Sequence, residues 1–128
     1  MAALHARCFA HPRPWSAGEI RDVSSLPGAF LLLRPQGFLI GRTAADEAEL
    51  LTLAVEPEAR RQGIGRALVQ EFARVARSRS AAHGFLEVAS DNDAALSLYA
   101  ACGWRQTGRR RSYYAPGIDA LTMAADMG

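Results

Sequence analysis

A turn rich in glycine and arginine, at residues 60–66, restricts more than any other feature how this chain can fold. The turn reads Arg-Arg-Gln-Gly-Ile-Gly-Arg, and it leads from the apolar segment 47–55 into the segment 62–79. In segment 62–79 the apolar positions 64, 68, 72 and 75 recur at helical spacing, and arginine and glutamine occupy the opposite face. A glycine turn at a helix N-terminus offers free backbone N–H groups, and the helix dipole there favours a phosphate. The sequence therefore predicts an anion-binding turn between a strand and a helix.

Two common phosphate-binding folds do not fit this turn. The dinucleotide-binding pattern needs a third glycine, and Leu68 stands at that position. The P-loop needs a lysine, and all 15 basic residues of this chain are arginine. An ordinary helix start with solvated arginines remains the alternative, but the preceding strand, the helix and three arginines together favour phosphate binding.

The remaining pattern predicts a single α/β domain over residues 1–128, because this length is typical of one domain. Ser16 and Glu19 form a capping-box pattern, and Asp91 or Asn92 is expected to begin a later helix. The predicted helices are 1–10, 16–25, 62–79 and 93–101, and the predicted strands are 29–34, 37–42, 47–55, 84–89, 104–114 and 118–124.

Charge and composition exclude several classes of protein. The net charge is only +2, which argues against direct nucleic-acid binding, although residues 60–111 hold ten arginines and four acids. No apolar stretch is long enough for a membrane span, and no sustained apolar run follows Arg7 as in a signal peptide. Cys8 and Cys102 lack metal-site spacing and are too few for a disulfide framework. We therefore expect a cytoplasmic protein with reduced thiols and no metal.

The pattern Arg60-x-x-Gly63-x-Gly65 resembles the acetyl-coenzyme A motif of the GNAT family of N-acetyltransferases. The segments 53–55, 86–88, 95–99 and 110–114 are similar to the bacterial RimI type within that family, and the resemblance covers about residues 12–125. It implies the GNAT fold, which is a mixed central sheet of about six strands flanked by about four helices. Because the chain begins almost inside the first helix, the family's first strand is expected to be missing or very short.

The resemblance also implies that acetyl-CoA is the co-substrate, without a metal. In that family the coenzyme lies against the strand that matches 47–55, where it separates from the strand that matches 84–89, and the matching N–H of Val55 would contact the thioester oxygen. Residues 61–66 would hold the pyrophosphate, and Asn92 would contact the pantetheine arm. The implied coenzyme-binding residues are Leu53, Ala54, Val55, Arg60, Arg61, Gln62, Gly63, Ile64, Gly65, Arg66 and Asn92.

Two residues carry the implied catalysis. Glu87 lies inside an apolar strand, where a carboxylate must be exposed, paired or functional. The alternative is a glutamate facing water, but the RimI type carries its general base at this position. The helical spacing of Tyr99 is that of an aromatic residue in the core. In the family, however, a tyrosine at this position is the general acid that protonates the leaving thiolate.

The acceptor implied by the resemblance is a protein N-terminus, the N-terminal alanine of a small-subunit ribosomal protein. Trp15, Tyr113 and Tyr114 would line the acceptor side, although Trp15 is equally consistent with a core tryptophan. The family's asparagine before the paired tyrosines is Ser112 here, which leaves the acceptor less defined than acetyl transfer. A GNAT enzyme acting on a small amine or another protein site, and a coenzyme A-binding module without catalysis, remain as alternatives.

Overall fold

The predicted helices and strands are all present, with small changes at their ends. The computed structural model describes residues 1–9 and 14–127. The helices are α1 (Ala2–Cys8), α2 (Ala17–Ser24), α3 (Ile64–Ser78) and α4 (Asp93–Ala101), and a short 3-10 helix covers Pro57–Ala59. The strands are β1 (Ala29–Arg34), β2 (Gly37–Ala44), β3 (Glu47–Val55), β4 (His83–Ala89), β5 (Arg105–Ala115) and β6 (Ile118–Asp126).

The six strands form one mixed sheet in the order β1-β2-β3-β4-β6-β5. All neighbouring pairs are antiparallel except β3 and β4, which run parallel. β3 and β4 are paired only from Glu47 opposite His83 to Glu49 opposite Phe85. Beyond Glu49 the two strands separate, so a gap opens in the middle of the sheet. This confirms the expected GNAT architecture.

A bulge in β3 accompanies this separation. Ile40 of β2 lies opposite Thr52, whereas the next residue, Gly41, lies opposite Leu50. Leu51 is therefore an extra residue in β3, and such a bulge bends the strand that carries it. Consequently the second half of β3 follows a different direction from the half that pairs with β4.

The sheet buries apolar side chains on both faces. The larger core lies against α3 and α4, and the amphipathic pattern of α3 is confirmed because Leu68 and Phe72 are fully buried. The smaller core lies on the opposite face under α1 and α2, around Ile20, Phe38 and Ile40.

His5, for which the sequence gives no partner pattern, is a buried polar residue of the smaller core, only 1% exposed. Its Nδ1 accepts a hydrogen bond from the backbone N–H of Trp15 over 3.0 Å. The proton of the neutral ring is therefore on Nε2, which donates to Thr52 Oγ1 over 2.9 Å. The ring also stacks against Phe9 and Trp15. Burial lowers the pKa of His5 to about 4, against a weaker opposing effect of the Glu19 charge.

Candidate active site

A groove of about 880 Å³ lies between the end of β3 and the start of α4, where β3 and β4 have separated. The end of α1, the segment after β3 and the 60–66 turn form the rest of its wall. The lining residues are Cys8, Phe9, Leu53, Val55, Pro57, Ala59, Arg60, Arg61, Gly63, Gly65, Arg66, Asn92, Asp93, Ala94, Ala95, Ser97 and Leu98.

The turn before α3 is shaped by left-handed backbone at two residues. Arg61 has φ +69° and Gly63 has φ +82°, and Gly63 begins α3 without any side-chain cap. The first N–H groups of the helix are thus not satisfied by a side chain, and a Cβ atom at Gly63 would meet nothing within 4 Å. Arg60 and Arg66 line the same part of the groove, and no acid among the described residues pairs with them. An anionic ligand is therefore favoured here.

The backbone at the end of β3 presents its polar groups to the gap. The N–H of Glu56 donates to the carbonyl of Gln36 over 2.7 Å, on the side of β2. Because Val55 C=O and Glu56 N–H point in opposite directions from one trans peptide, the Val55 carbonyl faces the gap. The Cys8 thiol donates to that carbonyl over 3.3 Å. In a strand the N–H and C=O of one residue share an edge, so the N–H of Val55 faces the gap as well.

Asn92 occupies the opposite wall of the groove. Its side-chain oxygen accepts from the N–H of Ala95 over 3.2 Å and caps α4. This cap confirms Asn92, rather than Asp91, as the residue that begins the helix. The side-chain amide nitrogen of Asn92 remains as a hydrogen-bond donor at the groove.

Glu87 borders the gap, since it lies two residues beyond the last β4 residue that pairs with β3. Leu86 and Val88 face the larger core, so the Glu87 side chain lies on the other face and is 32% exposed. The hydroxyl of Tyr114 donates to Glu87 Oε1 over 3.0 Å. Arg110 Nη2 lies 3.9 Å from Glu87 Oε2. The structure thus gives an exposed carboxylate at the gap, which accepts a hydrogen bond from a phenol and has an arginine nearby.

The sequence profile of the acetyltransferase (GNAT) family matches residues 7–104 of this chain. The chain belongs to the GNAT family. It is an acetyl-CoA-dependent N-acetyltransferase.

Individual relatives agree with this membership. The N-alpha-acetyltransferase RimI of Mycobacterium tuberculosis is 37% identical over 137 residues, covering 99% of this chain and 85% of that protein. The [ribosomal protein bS18]-alanine N-acetyltransferase of Escherichia coli is 35% identical over 117 residues, covering 88% of this chain and 79% of that protein. The crystal structure of an Escherichia coli ribosomal-protein alanine N-acetyltransferase has a TM-score of 0.83 at 32% identity, covering 99% of this chain and 86% of that chain.

Most residues of the GNAT coenzyme motif line the groove, but three of the predicted ones do not. Ala54 is buried in the smaller core on the other face of the sheet, because strand residues alternate between faces. Gln62 is exposed at the turn, and Ile64 packs against the larger core. These three residues are therefore absent from the groove lining, although the backbone N–H groups of Gln62 and Ile64 lie within the turn.

The groove also contains residues that the motif does not include. Cys8 and Phe9 come from α1, whose position against β3 no local pattern indicates. Ala95 follows Asn92 by three residues and Leu98 follows Ala95 by three, so each is a helical neighbour of the one before it, and this spacing is the signal that indicates them. Leu98 also packs against α3, since a Cβ atom at Gly65 would meet Leu98 Cδ2 at 3.0 Å.

Tyr99 lies in the larger core rather than among the groove-lining residues of the described chain. Its ring is 6.2 Å from that of Trp104. Burial raises the pKa of the Tyr99 phenol, so the phenol is protonated at neutral pH. This protonation state is the one that a proton donor requires, and its role as general acid stays a prediction.

The two adjacent tyrosines of β5 have different surroundings. Tyr114 is half-buried, and burial together with the Glu87 charge raises the pKa of its hydroxyl. Tyr113 is 55% exposed, lies under the Arg110 guanidinium at 5.1 Å, and contacts the Tyr114 ring edge-on. Trp15 packs against the smaller core through His5. The structure thus brings Tyr114 to Glu87, and an acceptor role for these three aromatic residues stays a prediction.

No cluster of three or more histidine, cysteine, aspartate or glutamate side chains is placed to hold a metal ion within residues 1–9 and 14–127. Among the same residues, no helix has the length and apolar character needed to cross a membrane.

Proposed function

We propose that this GNAT enzyme transfers the acetyl group of acetyl-CoA to the N-terminal α-amine of ribosomal protein bS18, whose N-terminal residue is alanine. The relatives that share 35–37% identity over most of the chain support this acceptor. The observation that carries the chemistry is the Glu87 carboxylate beside the gap, next to a groove whose far end is an unpaired arginine turn. An acceptor on the ribosome would also place the enzyme in the cytoplasm.

The groove supplies the contacts that acetyl-CoA needs. The N–H groups at the start of α3, together with Arg60, Arg61 and Arg66, bind the pyrophosphate. Backbone groups of Leu53 and Val55 pair with the pantetheine arm, and the Asn92 amide contacts the arm from the opposite wall. The N–H of Val55 donates to the thioester oxygen, where negative charge develops as the amine attacks.

Glu87 and Tyr99 move the protons of the reaction. An N-terminal amine is mostly protonated at neutral pH and becomes nucleophilic only when it loses a proton. Glu87 accepts that proton directly or through a water molecule. The nitrogen then forms a bond to the thioester carbon, the carbon–sulfur bond breaks, and Tyr99 protonates the departing thiolate. The second proton of the nitrogen leaves to solvent as the amide forms, and Tyr99 regains its proton from solvent. The transfer is direct, so no cysteine nucleophile is required.

The acceptor chain lies on the open sheet face around Glu87. Tyr113 and Tyr114 hold its backbone, and Trp15 lines the same side through the loop that precedes α2. This part of the proposal rests on the position of the two tyrosines on β5 and on the resemblance to the RimI type.

Release of the coenzyme thiol with three acceptors tests this function. The acceptors are a peptide with the N-terminal sequence of bS18, the same peptide with a blocked N-terminus, and a small polyamine. Release only with the unblocked peptide supports the proposal. Release with the polyamine alone would assign a small-molecule acceptor, and coenzyme binding without release would favour a binding module.

A further inference from the structure

The paired tyrosines lie on a four-residue bulge of β5 that is opposite a single residue of β6. Arg110 pairs with Ala120 and Ala115 pairs with Ile118, so residues 111–114 lie opposite Asp119 alone. Within this bulge Ser112 has φ +49°, in the left-handed region. Such a conformation persists only where surrounding contacts stabilise it.

Asp119 provides those contacts. Its Oδ1 accepts the backbone N–H of Ser112 over 2.8 Å, and its Oδ2 lies 3.3 Å from Arg109 Nε. The backbone of Asp119 is joined in both directions to Ser90, the residue after β4, because Ser90 N donates to Asp119 O and Asp119 N donates to Ser90 Oγ. The bulge is therefore fixed to the end of the strand that carries Glu87.

The result of this arrangement is the contact between Tyr114 and Glu87. In a regular strand, side chains alternate strictly between the two faces of the sheet. The bulge changes this alternation, and the Tyr114 hydroxyl lies 3.0 Å from Glu87 Oε1. Arg110, just before the bulge, lies 3.9 Å from the other carboxylate oxygen. The Glu87 carboxylate thus accepts a hydrogen bond at one oxygen and has an arginine charge near the other, although its side chain is exposed.

We propose that Tyr114 and Asp119 are positioning residues for Glu87. Tyr114 orients the carboxylate directly, and Asp119 acts through Tyr114 by fixing the bulge. An exposed glutamate otherwise samples several rotamers, and ordering it in advance lowers the entropic cost of the reactive geometry. The inference rests on the proposed function, because it requires Glu87 to be the general base.

The split between kcat and KM in Tyr114→Phe tests the direct contact. The variant keeps the ring and loses only the hydroxyl. If Tyr114 positions Glu87, kcat for the bS18 peptide falls about tenfold to a hundredfold, as expected for a misplaced catalytic group, while loss of the contact to the acceptor changes KM alone. If Tyr114 only holds the acceptor, KM rises and kcat stays the same, which overturns the proposal.

Three further variants test the role of Asp119. Asp119→Ala removes the acceptor of the Ser112 N–H and should lower kcat as Tyr114→Phe does. Asp119→Asn keeps a side-chain oxygen at that place, so it should restore most of kcat. Arg109→Gln removes only the ion pair and serves as the matched control with wild-type kcat. An unchanged kcat in Asp119→Ala, or an equal loss in Arg109→Gln, contradicts the proposed role.

A titration without any acceptor separates this inference from the proposed function. The Glu87 charge contributes to the raised pKa of Tyr114, so Glu87→Gln should lower that pKa. Tyrosinate absorbance isolates the Tyr114 titration when each protein is compared with its own Tyr114→Phe counterpart: the wild type with Tyr114→Phe, and Glu87→Gln with Glu87→Gln/Tyr114→Phe. An unshifted pKa overturns the contact whatever the activity. A shifted pKa in an enzyme that does not acetylate the peptide would show the contact and reject the proposed function, together with the catalytic role assigned to Tyr114.

Discussion

The Cys8 thiol at the end of α1 donates a hydrogen bond to the Val55 carbonyl at the end of β3, over 3.3 Å. Both residues line the groove, and Cys8 is a free, half-buried cysteine. The contact joins a helix and a strand that are 47 residues apart in the chain. It also places a thiol where the proposed coenzyme lies.

Alkylation of Cys8 should therefore block acetyl-CoA binding. N-ethylmaleimide adds bulk inside the groove, and bound coenzyme A should protect the thiol, as followed by mass spectrometry and by titration of acetyl-CoA. Cys102 should react more slowly, because burial raises the pKa of its thiol and less thiolate is present. Cys8→Ser is the control that should bind acetyl-CoA and resist the reagent. Undiminished binding after modification of Cys8 would contradict the groove assignment.

Glu87→Gln should lower kcat by about a hundredfold or more, because a general base contributes on that order. The Kd for acetyl-CoA should stay near that of the wild type, since Glu87 is not among the groove-lining residues. Glu47→Gln is the control: it removes an exposed carboxylate from the neighbouring strand β3 and should leave turnover unchanged. Steady-state rates together with a coenzyme titration make this comparison. Wild-type turnover in Glu87→Gln would exclude Glu87 as the base.

Gly63→Val should weaken acetyl-CoA binding, because the new side chain enters the open space where the pyrophosphate is proposed to bind. It should also lower the free energy of unfolding by about 1–2 kcal/mol, because φ at Gly63 is +82°. Gly103→Val separates the two effects. Gly103 has φ +91° and equally open space, but it lies at the end of α4 and outside the groove lining.

Calorimetric titration and urea unfolding of both glycine variants give the comparison. Comparable losses of stability with weaker coenzyme binding only in Gly63→Val support the placement. Equal coenzyme affinity in the two variants would place the pyrophosphate elsewhere.

His5 should make the stability of the protein depend on pH. The pKa of His5 is about 4 in the folded state and 6.5 in the unfolded state. Between these two pH values the folded state therefore binds fewer protons than the unfolded state. The free energy of unfolding should therefore be highest above pH 6.5 and fall by about 3 kcal/mol as the pH drops toward 4.

Urea unfolding of His5→Gln and His83→Gln at several pH values checks this prediction. The His5→Gln variant should lose most of the slope between pH 6.5 and 4, whatever its stability at pH 7. His83 is exposed, so the His83→Gln control should keep the wild-type slope. A wild-type slope in His5→Gln would assign the acid sensitivity to other groups.

Local patterns predict the elements well because each depends on nearby residues. The period of α3, the capping box at Ser16 and the turn at Gly63 are all features of short segments. The contacts that shape the site are not of this kind. Tyr114 reaches Glu87 only through a bulge fixed by β6, and Cys8 reaches Val55 only after α1 packs on β3.

The environment of His5 is likewise not predictable from local sequence. Its two hydrogen-bond partners, Trp15 and Thr52, belong to a loop and a strand that only tertiary packing brings to one helix. Likewise the implied coenzyme-binding residues include Ala54, whose side chain faces the other core, because the resemblance indicates a backbone position and not the direction of a side chain.

The location of the transferred acetyl group tests the central claim most directly. The enzyme is incubated with acetyl-CoA and a peptide with the N-terminal sequence of bS18, and the modified atom is found by tandem mass spectrometry. The account predicts one acetyl group on the α-amine of the N-terminal alanine, with little product from Glu87→Gln in the same time. An acetyl group on a side-chain amine instead, or an unmodified peptide despite bound acetyl-CoA, would contradict it.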